Sequence, residues 1–206
     1  MTQKLILTNA RLVLENEVLQ GSLVITDGKI SDISAGNSTH GEDMGGDTII
    51  PGLVELHTDH LESHYVPRPK VRWNPHAAVV AHDAQIAGCG ITTVLDALRV
   101  GADEDAELGG PDIRLLSDAI RDNAANGILR ADHLLHLRCE VSAPDCLDGF
   151  EYFEEDKRVK LVSLMDHAPG QRQFVSLEAY KIYYTGKKRM SEEEFETFCK
   201  RRVAES

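Results

Sequence analysis

The sequence predicts an α/β fold in two parts, a small β module over residues 1–50 and a run of parallel β/α units over residues 51–206. Two textures predict it. After Pro51, apolar runs of strand length alternate with stretches of helical period, the pattern of parallel β/α architecture. Before it, short apolar runs are separated by Asn, Gly and Ser, which reads as hairpins. The hydrophobic fraction is 42%, enough for a packed core and too high for a disordered chain.

Residues 5–7 and 11–14 are apolar runs broken by Asn9 and Asn16. Residues 22–25 lead into Asp27-Gly28, and residues 29–33 follow. Asp-Gly between apolar segments marks a hairpin, because a type I′ turn needs φ > 0 at both central residues. Residues 36–46, rich in Gly and Ser, read as a loop. Strands are expected over residues 53–58, 92–98, 134–141 and 161–165. Between them, a helix is expected from Asn74-Pro75, an N-cap followed by Pro at the first helical position, ending by Gly88 or Gly90. A second carries Ile113, Leu116 and Ile120 and ends near Gly127. A third carries Leu147, Phe150 and Phe153. Ser191 with Glu194 three residues on is a capping-box signature, and Phe195, Phe198 and Cys199 give that last helix an apolar stripe. These are four β/α units. A closed (β/α)8 barrel takes eight units and about 250 residues, so the chain reads as an open sheet or a truncated barrel.

The net charge of −12 argues against a nucleic-acid binder, which needs a basic face. It leaves room for a small phosphorylated substrate, since a few local Arg or bound cations outweigh the global charge at a site. Cys89, Cys139, Cys146 and Cys199 form no CxxC pair, which reads as a reduced, cytoplasmic chain. There is no signal-peptide pattern and no run of about 18 apolar residues, so no membrane partner is expected.

Chemistry-bearing residues cluster at the C-terminal ends of the expected strands, where parallel α/β folds place their sites. His57 and Asp59, two apart, can chelate one divalent cation; the alternative is a loop His and a helix-capping Asp. His136, Arg138 and Glu140 share one strand face. They suit a metal and a phosphate, or a plain Arg–Glu pair on an edge strand. Asp166-His167 follows the fourth strand, either as site residues or as a turn. Basic candidates for phosphate are Arg68, Lys70, Arg72, Arg99 and Arg172, whose guanidinium forks match phosphate oxygens where Arg is used. His60, His64, His76 and His82 crowd after the first strand as supporting or surface groups. No P-loop, G-x-G-x-x-G or G-x-S-x-G is present.

The string Ile-Ile-Pro-Gly-Leu-Val-Glu55-Leu-His57-Thr-Asp59 resembles the entry to the barrel of the amidohydrolase superfamily, where P-G-x-x-D-x-H-x-H is usual. Glu55 stands in the Asp position and Asp59 replaces the second His. Gly90-Ile-Thr-Thr-Val resembles that superfamily's second strand. His57-Thr-Asp59-His-Leu-Glu62, Pro67-Arg68-Pro69, His136-Leu-Arg138-Cys-Glu140 and Ser163-Leu-Met-Asp-His167-Ala-Pro-Gly-Gln-Arg172-Gln-Phe174 are similar to the branch that removes pyrophosphate from a phosphonate-bearing ribose triphosphate. The resemblance implies the first half of a (β/α)8 metal-dependent hydrolase barrel behind a partial β-sandwich module. It implies a divalent metal, zinc or manganese, on His57, Asp59 and Glu140, and substrate contacts from Arg68, Arg138, His167 and Arg172. It places the general base and further ligands on strands beyond Ser206. A missing barrel half or a homo-oligomer is then the expected partner, and the chain alone is expected to be inactive. The alternatives are a C–N amidohydrolase, such as a cyclic amidase or deacetylase, and a non-catalytic half-barrel.

Overall fold

A computed structural model of the chain describes residues 3–102, 107–166, 176–187 and 190–205. The chain divides into two compact units, Met1–Gly52 and Leu53–Ser206. The first is a small sheet of β1 (Lys4–Val13), β2 (Val18–Thr26), β3 (Lys29–Ala35), β4 (Glu42–Asp43) and β5 (Thr48–Ile49). β1 pairs β2, and β2 pairs β3, antiparallel; β4 and β5 add to β1 in parallel. The hairpin falls at Asp27-Gly28, with φ of 51° and 77°, the left-handed pair that a type I′ turn requires. Asn9 does not break its strand. It takes φ 55° at a register shift between Leu7 and Ala10, so residues 4–13 form one bulged strand. Ala10, Leu12 and Leu23 form this unit's buried centre.

The second unit runs β6 (Leu53–Thr58), α1 (His60–Tyr65), α2 (Pro75–Gly88), β7 (Ile91–Val100), α3 (Gly110–Ala125), β8 (Asp132–Glu140), α4 (Cys146–Glu151), β9 (Val159–Met165), α5 (Leu177–Lys187) and α6 (Glu192–Glu205). The four strands pair in chain order, β6-β7-β8-β9, all parallel. α2 begins where its cap dictates: the Asn74 side chain accepts from the Ala77 N–H at 3.1 Å, with Pro75 next. α6 opens on a reciprocal capping box, Ser191 N–H to Glu194 at 2.8 Å and Glu194 N–H to the Ser191 hydroxyl at 3.2 Å. α4 is shorter than its apolar period suggests. It stops at Glu151, so Phe153 lies buried in the following turn while Leu147 is exposed.

Strand alternation sorts the sheet's two faces. Leu98 and Val100 of β7 and Leu135, Leu137 and Cys139 of β8 face Ala78 and Val79 of α2 and Ile113, Leu116 and Ile120 of α3. The outer strands are poorly covered. Leu53, Val54 and Leu56 of β6 and Leu161, Val162 and Leu164 of β9 are exposed, and contiguous apolar surface of this kind favours association.

A buried polar network joins α2 to β7 and β8 on the helix side. Asp96 accepts from His82 Nε2 at 2.8 Å and from His133 Nδ1 at 2.7 Å. Asp83 accepts from the N–H groups of Arg130 and Ala131 and from the Arg130 guanidinium. Burial pushes the Asp96 carboxyl up, but the imidazole hydrogen bonds outweigh it and hold it below the ordinary 3.8. Burial pushes His133 down, and the hydrogen bonds and charges of Asp96 and Asp83 more than reverse it, raising it above the ordinary 6.5. The Asp96 contribution is therefore lost as pH falls below its ordinary range. The His133 contribution is present below pH 6.5 and lost as pH rises through its elevated value. Thermal unfolding should show Asp96→Ala destabilised by about 3–5 kcal/mol, the cost of stranding a buried partner. The alkaline decline in midpoint should disappear in His133→Gln; an unchanged decline would mean that His133 is not its source.

Candidate active site at the carboxyl edge of the sheet

His57 is the penultimate residue of β6. Asp59 lies just past the strand, before α1, and its side chain makes no cap hydrogen bond. The two therefore flank the strand-to-helix turn, His57 on the strand and Asp59 in the turn itself. The His57 ring meets His136 of β8, with Nδ1 atoms 3.2 Å apart and ring centroids 4.8 Å apart at 71°. His136 Nδ1 also lies 3.2 Å from the Leu56 carbonyl, and its Nε2 lies 2.9 Å from the Ser163 hydroxyl of β9. One neutral tautomer satisfies these contacts, with Nδ1–H donating to Leu56 and Nε2 accepting from Ser163; this is an assignment from geometry. Burial holds His136 below the ordinary 6.5, and the neighbouring His57 and Arg138 add to it.

Arg138, two residues on, shares the face of His136. Its Nη1 reaches Asp59 Oδ2 at 3.3 Å. Glu140 completes the row and is fully buried, accepting from the Ser142 hydroxyl at 2.8 Å and lying 3.6 Å from the Arg99 guanidinium of β7. The plain alternative of an Arg138–Glu140 pair on an edge strand is not what forms. β8 is an inner strand, flanked by β7 and β9, and each residue pairs across to another element. Glu62 of α1 joins the same group. Burial pushes its carboxyl up, Arg138 pulls it down, Asp59 pushes it up and Arg99 pulls it down, for a net rise. Its Oε1 is buried with no hydrogen-bond partner among the described residues.

Other sequence candidates are placed elsewhere. Arg68 sits in an exposed turn, bridged to Val71. Arg72 makes a two-pronged pair with Asp112 at 2.8 and 3.0 Å, which ties residues before α2 to α3. His60 and His64 both bond Gln85, and His82 belongs to the helix-side network. His167 and Arg172 lie outside the described residues. Sequence reasoning quoted Glu62 only inside a motif and gave it no role. Its signal was available: three residues after Asp59, at the start of a helix, it lands on the side of the site.

Among the described residues, His57, Asp59 and Glu140 do not form a group whose ligand atoms lie within 4.8 Å of one another; Asp59 is exposed, and each carboxylate oxygen has capacity beyond one hydrogen bond. His82, Asp96 and His133 do bring three ligand atoms within 4.8 Å. Their N···O distances of 2.7 and 2.8 Å are those of hydrogen bonds with protons in place, and this cluster reads as a structural network. NMR titration should find His136 below 6.5 and should find it raised in His57→Gln. An unmoved value would mean that His57 does not act on it.

No protein-family profile matches the chain. Among solved structures, it overlaps a D-hydantoinase with a TM-score of 0.41 and 21% identity, covering 78% of this chain and 32% of that one. It overlaps the L-hydantoinase (dihydropyrimidinase) of Arthrobacter aurescens with a TM-score of 0.42 and 18% identity, covering 77% and 35%. The chain spans about half the length of the curated relative it matches, 53% of that protein. Over 97% of its own length, it is 42% identical to the N-terminal half of the alpha-D-ribose 1-methylphosphonate 5-triphosphate diphosphatase of Escherichia coli (strain K12).

Proposed function

We propose that this protein, as part of a completed (β/α)8 barrel of the amidohydrolase superfamily, hydrolyses alpha-D-ribose 1-methylphosphonate 5-triphosphate to the 5-phosphate and pyrophosphate. The 42% identity to a diphosphatase of that substrate, sustained over 97% of the chain, carries the reading. Four consecutive parallel strands, in chain order, are what half of such a barrel would contribute. The other half, from further chain or from a partner, would bring the remaining ligands and the general base.

In this reading His57, Asp59 and Glu140 would hold a divalent cation, zinc or manganese, in the completed barrel, with neutral His136 beside them. A bound cation supplies Lewis acidity and a water with pKa near 7. The chain's own residues bind and orient. Arg138 faces the substrate's phosphates, and Arg68, His167 and Arg172 complete the phosphate side. Phosphoryl transfer needs little covalent chemistry from the protein, so positioning and charge stabilisation provide most of the catalysis. The arginines suit a triphosphate better than the neutral ring of a cyclic amide.

Pyrophosphate release from the ribose triphosphate by the completed barrel tests the reading. Turnover of a hydantoin with none of the triphosphate would contradict it. Arg138→Ala should raise KM by roughly 10- to 100-fold, the loss of hydrogen bonds to a charged group, while leaving metal content near wild type. Equal loss of metal and activity would make Arg138 a support for Asp59 and not a substrate contact.

A further inference from the structure

α4 packs closely over the carboxyl ends of β7 and β8, and two glycines make room for it. A Cβ on Gly149 would stand 2.9 Å from Val100 Cγ1. A Cβ on Gly101, which takes φ 91°, would stand 3.1 Å from the Cys146 Cβ. Gly101 follows Val100, the register partner of Cys139 on β8. Cys146, the first residue of α4, therefore comes down beside Cys139. The two thiols are hydrogen-bonded to each other, with Cys139 donating.

Both cysteines line an apolar groove of about 380 Å³, beside Val141, Leu147, Phe150 and Leu164. Cys146 is half-buried and Cys139 is buried. The turn between them is tight. The Ala143 N–H donates to the Glu140 carbonyl at 3.0 Å, and the Cys146 N–H donates to the Ala143 carbonyl at 3.1 Å. Glu140 and Ser142 of the candidate site sit on this turn. A bond between the two sulfurs would close it into a short covalent ring.

We propose that Cys139 and Cys146 are an oxidation site, a dithiol that a peroxide converts reversibly into an intrachain disulfide, locking the turn that carries Glu140 and Ser142. The proposal rests on the packing of α4 and holds whatever reaction the site performs. Cys146, the more accessible thiol, attacks the peroxide. An S–O bond forms, the O–O bond breaks, and a water leaves with the thiol proton. The Cys139 sulfur then attacks the sulfenic sulfur. The S–S bond forms, the S–O bond breaks, and a second water leaves with the Cys139 proton. Two thiols and one hydrogen peroxide give one disulfide and two waters. Burial raises both thiols, that of Cys139 to about 11, so the pair keeps its protons at neutral pH and oxidises slowly.

The test treats the full chain with hydrogen peroxide for hours, blocks remaining thiols with iodoacetamide and digests with trypsin. Cleavage after Arg138 and Lys157 leaves both cysteines on one peptide, residues 139–157. That peptide should appear two hydrogens lighter and unalkylated, and dithiothreitol should restore two alkylatable thiols. In Cys139→Ser, shown folded by its thermal melt, dimedone should trap Cys146 as its sulfenic acid. Hydrogen exchange over residues 141–146 should slow roughly tenfold in the oxidised wild-type chain. A peptide 139–157 still carrying two alkylated thiols after exposed Cys89 is fully oxidised would overturn the pair. So would a disulfide joining either cysteine to Cys89 or Cys199 instead. A bridge that forms without slowing exchange over residues 141–146 would overturn the lock.

Discussion

The period-two alternation of β8 is the constraint on which both faces of the sheet depend. His133, Leu135, Leu137 and Cys139 lie on the helix side, three of them in the apolar core and one in the buried network. His136, Arg138 and Glu140 lie on the opposite face, where the candidate site is. A register slip by one residue would exchange the two sets, placing three polar side chains against α2 and α3 and stranding them there. The apolar packing against the helices therefore fixes the site's geometry without touching it. The same register sets Arg99 beside Arg138 and brings Ser163 of β9 opposite Arg138 and within reach of His136.

The two polar clusters illustrate different uses of buried charge. On the helix side, Asp96 and Asp83 are fully buried and meet donors from α2, β8 and the loop that precedes β8 at hydrogen-bond distance, with His82 Nδ1 left without a partner among the described residues. Such a network rigidifies the packing it joins. At the carboxyl edge, Glu140 is equally buried, accepts from the Ser142 hydroxyl at 2.8 Å and lies 3.6 Å from Arg99, while Glu62 Oε1 is buried without a hydrogen-bond partner among the described residues. Buried carboxylates need compensation, and here Arg99 and Arg138 lie beside them.

Much of this was legible in the sequence. The strand at residues 53–58, the Asn74-Pro75 helix start and the Ser191–Glu194 box each follow from short-range chemistry, and each forms where that chemistry puts it. Asp27-Gly28 likewise fixed the hairpin through its φ requirement. The length of α4 was not legible, because the apolar period through Phe153 is satisfied equally by a turn that buries the same ring. Asn9 was misleading for a related reason: Asn tolerates positive φ, and a bulge uses it without ending the strand. At the site, residue types and face were readable from spacing, but pairing was not. Arg138 choosing Asp59 over Glu140 depends on the turn after β6, which no periodicity reports. Nor does spacing reveal that His82 leaves its surface-histidine neighbours for the core.

In the proposed reading a cation binds at the carboxyl edge and not in the helix-side cluster, although the helix-side cluster brings its ligand atoms closer together. Anomalous diffraction from crystals soaked in zinc or manganese locates the ion directly. A peak among His57, Asp59, His136 and Glu140, with His82, Asp96 and His133 still hydrogen-bonded to one another, is the predicted result. A peak among His82, Asp96 and His133, with the carboxyl edge empty, would contradict it.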